Sequence, residues 1–187
     1  MSTRKGGETG VTGPRDPGER LLMEVGRQIG GRFSTAVVLF HSAVAARVGL
    51  NVTDYKCADI LYRAGPMHPG RLAELTGMST AATAQVLARL ERAGLIRREP
   101  DPADRRRTVV HPVTDSDTYR ELSRVFADFG GRVAAVMSRY DEAALRVIAD
   151  FVTEMTETLE TEAIRLRTRA AHGDPPAQGR EPGEPRR

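Results

Sequence analysis

Residues 69–110 read PGRLAELTGMSTAATAQVLARLERAGLIRREPDPADRRRTVV, and the order of segments within them decides the fold. Pro69 suits the first turn of a helix, where its missing N–H has no intrahelical partner to lose. Leu72, Ala73 and Leu75 form the inner side of this short helix, which Gly77 closes. Ser79 caps a longer helix running from about Ser79 to Ala93, with Val86, Leu87, Leu90 and Ala93 as its apolar stripe, and Gly94 ends it. LIRRE then reads as a strand, DPADRRR as a hairpin tip and TVVHPV as the returning strand, with Pro112 at its end. Short helix, turn, longer helix and β-hairpin in that order predict a winged helix-turn-helix lobe.

The face of the longer helix opposite its stripe carries Thr80, Ala81, Ala84, Gln85, Ala88 and Arg89. Small residues with a few hydrogen-bonding groups keep that face low and polar, a shape able to enter a DNA groove. Gln85 suits adenine, Thr80 can meet a thymine methyl, and Ala81 and Ala84 add apolar contact to the same methyl. Arg89, Arg92, Arg97, Arg98, Arg105, Arg106 and Arg107 crowd one short window, interleaved with Glu91, Glu99, Asp101 and Asp104. The formal charge is only +3, so their clustering matters more than the sum. Arginine suits planar, bidentate contact to phosphate and guanine. The alternative for a charge run is a solvated, salt-bridged face, with Asp101 and Asp104 pinning the loop.

Outward on the N-terminal side, Leu22, Val25, Ile29, Phe33, Ala36, Phe40 and Val44 recur at spacings of three and four, predicting one long helix from Glu19 to about Val48. Gly26, Gly30 and Gly31 weaken it intrinsically, so packing must hold it, and they permit close approach of another helix or a bend. A second helix, roughly 53–64, has Thr53 as its N-cap and stops at Gly65 and Pro66. On the C-terminal side a fifth helix opens near Thr114 or Asp115, marked by Tyr119, Leu122, Phe126, Phe129, Val133 and Val136. A sixth opens near Asp141, marked by Leu145, Ile148, Val152, Met155, Leu159, Ala163 and Leu166. At about 1.5 Å per residue it is near 40 Å long, too long to bury its stripe within so small a lobe, and a partner chain is the natural place for it.

The fold class is therefore mainly α with a small β-hairpin wing: a winged helix-turn-helix lobe on a helical dimerisation stem. Residues 1–18 and 171–187, rich in Gly, Pro and charge, are expected to be disordered tails. Between them lie a first dimerisation helix (19–50), the DNA-binding lobe (51–113) and two further dimerisation helices (114–170). No apolar run is expected to reach the ~18 residues of a spanning helix and no signal-peptide core opens the chain, so the expected location is cytoplasmic, with no membrane partner. Cys57 is the only cysteine, which excludes an intrachain disulfide, and it reads as a buried structural thiol. His41, His68, His111 and His172 are scattered, with no HxxxH spacing, no Gly-rich phosphate loop and no nucleophile beside a base, so neither an enzyme nor a cofactor is expected.

The stretch quoted above, with RLERAGLIRRE joined to DPADRRR, resembles the MarR family of transcriptional regulators, and the likeness extends over the core from Glu19 to Arg167. The resemblance implies an obligate homodimer on double-stranded DNA, its first, fifth and sixth helices intertwined, and a repressor by default. It assigns residues 79–93, from Ser79 onward, to the recognition helix. The family's Asp-x-Arg wing element matches Asp104 and Arg106, the arginine entering the minor groove, flanked here by Arg105 and Arg107. It also implies a small-molecule effector, phenolic or lipophilic, held between stem and lobe by the first, second and fifth helices, where His41 and Tyr62 are the polar residues to test. Urate-responsive relatives carry a pocket tryptophan and this chain has none; peroxide-sensing relatives keep their cysteine near the start of the first helix, whereas Cys57 is in the second. Two other readings stay open here. A metal-responsive regulator would need His41 and His68 to converge with Glu24 or Asp59. A protein-interaction module would bind no DNA, and Arg106→Ala would then change nothing.

Overall fold

A computed structural model describes residues 16–171. The elements in chain order are α1 (Pro17–Arg27), a π-helical turn (Gln28–Phe33), α2 (Ser34–Arg47), α3 (Val52–Ala64), α4 (Pro69–Thr76), α5 (Thr80–Arg92), β1 (Ile96–Pro100), β2 (Thr108–Pro112), α6 (Asp117–Met137) and α7 (Glu142–Ala171). The chain is mainly helical with one antiparallel hairpin, paired in register from Ile96↔Pro112 to Pro100↔Thr108.

The predicted first helix is α1, the π turn and α2 end to end. The widened turn falls on QIGGRF, around Gly30 and Gly31. Ser34 there donates its hydroxyl to both Gly30 O and Gly31 O at 3.0 Å, serving carbonyls that the irregular turn disturbs. The boundary expected at residue 18 is too late, because Pro17 and Gly18 already form the first turn of α1. The remainder of both expected tails, apart from Asp16 before α1 and Ala171 in α7, lies outside the described residues.

Local capping corrects two further boundaries. Asn51, not Thr53, caps α3: its Oδ1 accepts from the Asp54 N–H at 2.8 Å. Ser116 caps α6, accepting from the Tyr119 N–H at 3.1 Å, so that helix opens at Asp117 rather than at Thr114 or Asp115. Ser79 caps α5 as expected, accepting from the Ala82 N–H at 3.2 Å.

The buried core belongs to the lobe and to the elements that lean on it. Val44 and Ala45 from α2, Cys57, Ala58 and Leu61 from α3, Leu72 from α4, and Val86, Leu87 and Leu90 from α5 close over Leu95, Ile96, Val110 and Leu122. Leu75, expected to face inward from α4, is 39% exposed instead. A short pairing absent from the sequence reading ties the wing down, since Met67 and Val110 exchange backbone hydrogen bonds at 3.1 and 2.8 Å.

The stem has no such core within one protomer. No residue of α1 is buried, and Leu122 alone is buried in α6. Leu21, Leu22 and Phe33 at the N-terminal end, Leu39 in α2, and Val147, Leu159 and Leu166 in α7 are all exposed. The span Pro17–Arg47 includes 18 residues of mean hydropathy 1.3, of which 11% are buried. By length and composition it is apolar enough to cross a membrane, contrary to the sequence expectation. Its Gly, Ser and Thr positions interrupt a run of large apolar residues without adding charge. The far end of α7 folds back on the helix-turn-helix: a Cβ on Gly77, whose φ is +71°, would lie 2.3 Å from Cδ of Arg167.

Candidate nucleic-acid interface and cavity

The reading face of α5 is formed as its periodicity requires. Ser79, Thr80, Ala81, Ala84, Gln85 and Ala88 are exposed, while Thr83, Val86, Leu87 and Leu90 are buried. Thr83 turns its hydroxyl back to Ser79 O at 3.0 Å, which leaves the outer face to small side chains and one amide.

The hairpin projects beside that face and has an internally braced tip. Asp101 accepts from the Ala103 N–H at 2.8 Å, Asp104 Oδ1 from the Arg106 N–H at 3.1 Å, and Arg107 N–H donates to Asp104 O at 2.8 Å. Arg106 has 94% of its side chain exposed, with Nε 3.5 Å from Asp104 Oδ1. Asp104 thus holds the backbone of Arg106. Arg105 and Arg107 are exposed and have no ion pair among the described residues.

The rest of the arginine window is largely engaged internally. Arg97 pairs with Glu99 at 2.6 Å and Arg98 with Glu91 at 3.3 Å. Arg89 makes a bidentate pair with Asp54, Nε to Oδ2 at 2.8 Å and Nη2 to Oδ1 at 2.7 Å. Asp54 is fully buried, so Arg89 is a strut between α3 and α5 before it is anything else. Paired to Asp54, its guanidinium is held more firmly protonated than usual.

His68 was missed as part of this interface. Its Nδ1 lies 2.9 Å from Thr108 O and its Nε2 3.2 Å from Asp101 Oδ2, so one ring spans from the entry of α4 to both sides of the hairpin. Nothing in the local pattern of MHPG signals this, because both partners lie more than 30 residues away. Between α4 and the wing an open groove of about 520 Å³ is lined by His68, Pro69, Gly70, Arg71, Glu74, Arg107 and Thr108. Arg71, which also pairs with Glu74 at 3.0 Å, and Arg107, which has no ion pair among the described residues, flank this groove and suit a phosphate.

A second cavity of about 260 Å³ separates α3 from α6, lined by Tyr55, Ala58, Asp59, Tyr62, Tyr119, Leu122, Ser123 and Phe126. Tyr62 lines it, but its hydroxyl is occupied: it reaches Val113 O at 2.7 Å and Leu95 O at 3.0 Å, at the two ends of the hairpin. Burial pushes the Tyr62 phenol well above the ordinary tyrosine range and that of Tyr55 up to about 12. His41 is not in the lining. It stacks on Tyr55 at 5.5 Å, with Nε2 3.4 Å from Lys56 Nζ and a buried Nδ1 that lacks a hydrogen-bond partner among the described residues. Burial, then the Lys56 ammonium, lower its pKa below the ordinary histidine value.

His41 and His68 therefore serve different neighbourhoods, and among the described residues no group of three His, Cys, Asp or Glu side chains could hold a metal. Cys57 is buried, and its thiol is pushed up to about 11, by burial first and the Asp54 carboxylate second. It is a core residue.

Comparison with known proteins gives a consistent result. A model of the MarR family matches residues 48–107. The chain is 40% identical over 154 residues to the HTH-type transcriptional regulator YcgE of Bacillus subtilis (strain 168), covering 80% of this chain and 93% of that protein. The solved structure of YusO from Bacillus subtilis superposes with a TM-score of 0.54 at 17% identity, covering 76% of this chain and 99% of that one. A MarR family protein from Bacillus stearothermophilus gives 0.58 at 15% identity, covering 75% and 96%. At those identities the two structures speak for the fold alone.

Proposed function

Because this chain belongs to the MarR family of winged helix-turn-helix, DNA-binding transcriptional regulators, we propose that it works as a homodimeric repressor released from its operator by a small molecule. The observation that carries this reading is one juxtaposition. The low, polar outer face of α5 lies exposed beside a braced hairpin tip whose Arg105 and Arg107 have no acidic partner among the described residues.

Each part then has a task. Gln85 and Thr80 contact base edges in the major groove, with Ala81 and Ala84 against thymine methyls. Arg106 enters the adjacent minor groove, while Arg105, Arg107 and the groove at the start of α4 take phosphates. Arg89 acts chiefly behind the reading face, fixing α5 to α3 through Asp54.

Dimerisation is supported by the apolar surface of the stem. α2 is apolar on all sides rather than along one stripe, which is the pattern of a helix with neighbours all round. Exposed apolar side chains on α1, α6 and α7 offer the same kind of surface, while Arg146–Glu142 and Arg165–Glu162 pairs keep another side of α7 charged. A second copy covers the apolar side of α7 and leaves its charged side in water, as lipid would not, and it sets two α5 helices about one DNA turn apart, 10 to 10.5 bp between half-site centres.

The test is a mobility shift with the gene's own upstream DNA at two salt concentrations, together with sedimentation to count protomers. We expect a dimer, a footprint over an inverted repeat, and a log-log salt slope of about −0.9 per phosphate contacted. Absence of any salt-sensitive complex would favour a protein-interaction role. A chain that needs detergent to stay dispersed would favour a membrane role for Pro17–Arg47.

A further inference from the structure

We propose that the cavity between α3 and α6 selects a lipophilic organic cation, a quaternary ammonium or phosphonium carrying aromatic groups, rather than a phenolate or carboxylate. This rests on reading that cavity as the effector site and names the chemistry it takes.

Four of its eight lining residues are aromatic: Tyr55, Tyr62, Tyr119 and Phe126. Tyr55 and Phe126 lie nearly parallel with centroids 5.8 Å apart, and Tyr62 and Tyr119 meet at 5.1 Å, so two ring pairs flank the space. Ring faces carry partial negative charge and attract cations, most of all where water is excluded. The molecule already uses one in this way, with Lys56 Nζ 5.4 Å from the centroid of Tyr55.

The only charged lining residue is Asp59, a carboxylate. Arg63, one helical turn on, hydrogen-bonds its Oδ2 at 3.2 Å, but that side chain is 70% exposed and lies outside the wall; Oδ1 has no hydrogen bond among the described residues. Lys56 is committed to Tyr55 and His41, and the depressed pKa of His41 leaves that ring neutral near pH 7. From α6, the near charges are Glu121, paired with Arg47 and Arg124, and Arg120, paired with Asp117.

An anion entering would leave water for a space that offers one negative group and no lining cation, with only the neutral hydroxyl-bearing residues Tyr55, Tyr119 and Ser123 to serve it, since the Tyr62 hydroxyl is given to backbone carbonyls. A cation would meet the rings of Tyr62, Tyr119 and Phe126 and a carboxylate, Tyr55 being already stacked by His41 and faced by Lys56. The volume of about 260 Å³ fits one substituted ring with a small cationic head.

Titration calorimetry on the full-length protein bound to its operator DNA and free of it, with benzyltrimethylammonium and with salicylate, tests this. The cation should bind free protein at least tenfold more tightly than salicylate and weaken operator binding. Asp59→Asn should cost the cation about five- to tenfold and leave salicylate unchanged or improved. Phe126→Leu, which keeps volume and removes a ring, should also weaken the cation. Salicylate equal to or tighter than the cation, with Asp59→Asn neutral, overturns the cation assignment and leaves the effector site standing. Binding of neither probe, or binding that Phe126→Leu does not touch, overturns both.

Discussion

Removing one oxygen atom from Tyr62 separates two roles that its position suggests. The hydroxyl has one hydrogen to give and lies 2.7 Å from Val113 O and 3.0 Å from Leu95 O. Leu95 O also accepts from the Val113 N–H at 2.9 Å, so it keeps a partner if the hydroxyl is lost. Val113 O is the acceptor left bare. Tyr62→Phe keeps the ring against Tyr119, so packing is nearly conserved and the change reduces to one hydrogen bond plus one half-buried, unsatisfied carbonyl. That amounts to about 1–1.5 kcal/mol. Urea unfolding at a fixed chain concentration, needed because the proposed dimerisation would contribute to apparent stability, should show a lower midpoint with an unchanged m-value. Operator affinity should fall modestly as the base of the wing loosens, and benzyltrimethylammonium affinity should stay as in wild type. A variant as stable as wild type that loses ligand would refute the reasoning, for the hydroxyl would then face the cavity rather than latch the hairpin.

Five other substitutions, a thiol-reactivity assay and a pH titration test the remaining contacts. Arg106→Ala should weaken operator binding by about 1–3 kcal/mol and relax preference for A·T-rich flanks, read by mobility shift across operator variants. Arg89→Ala should destabilise more than Asp54→Asn, since the first strands a fully buried carboxylate and the second removes it; equal midpoints in urea would contradict the strut. Gly77→Ala should destabilise through both its φ of +71° and collision with Arg167, with partial rescue in Gly77→Ala/Arg167→Ala measured by thermal unfolding. Cys57 should resist iodoacetamide in the native state, and stability should decline as pH rises from about 9. The sign follows from proton counts: the unfolded chain releases the Cys57 proton near its ordinary value, whereas the native thiol holds it to about 11 and Tyr55 to about 12, so the native state binds more protons there.

What could be read in the sequence was what depends on near neighbours. Gly65–Pro66, Gly77 and Gly94 punctuate the chain, Gly77 and Gly94 with φ near +71°, and α4, α5 and the hairpin fall within a residue or two of their expected limits. The Asp104–Arg106 contact spans only two residues, yet it was singled out through the family resemblance and not through spacing. Choosing Thr53 over Asn51 as a cap failed because both are short polar residues at a loop end, and only the backbone path decides which oxygen reaches the Asp54 N–H. Partners far apart in the chain were out of reach. Arg89 meets Asp54 across 35 positions, Tyr62 meets Val113 across 51, and His68 meets Thr108 across 40. Each was read as a residue facing solvent, DNA or ligand, or was passed over, because spacing reports which face a side chain occupies and not what waits there.

Under the proposed function, those long-range partners offer a route by which a ligand and the operator would be linked. α3 presents Tyr55, Asp59 and Tyr62 to the cavity, holds α5 through Asp54 and Arg89, and holds the ends of the hairpin through the Tyr62 hydroxyl. Both elements proposed to contact DNA are therefore fastened to the helix that forms one wall of the cavity, and the opposite wall is α6. A guest that widens or narrows the gap moves α5 and the wing together relative to the dimer axis, with no need to deform either. It alters operator affinity only by binding one gap width better than another, and the operator must discriminate the same two widths by the same factor. Breaking the Asp54–Arg89 strut should accordingly reduce the ligand's effect on operator affinity more than its affinity for free protein. A strut variant in which the two change in equal proportion would place the coupling elsewhere.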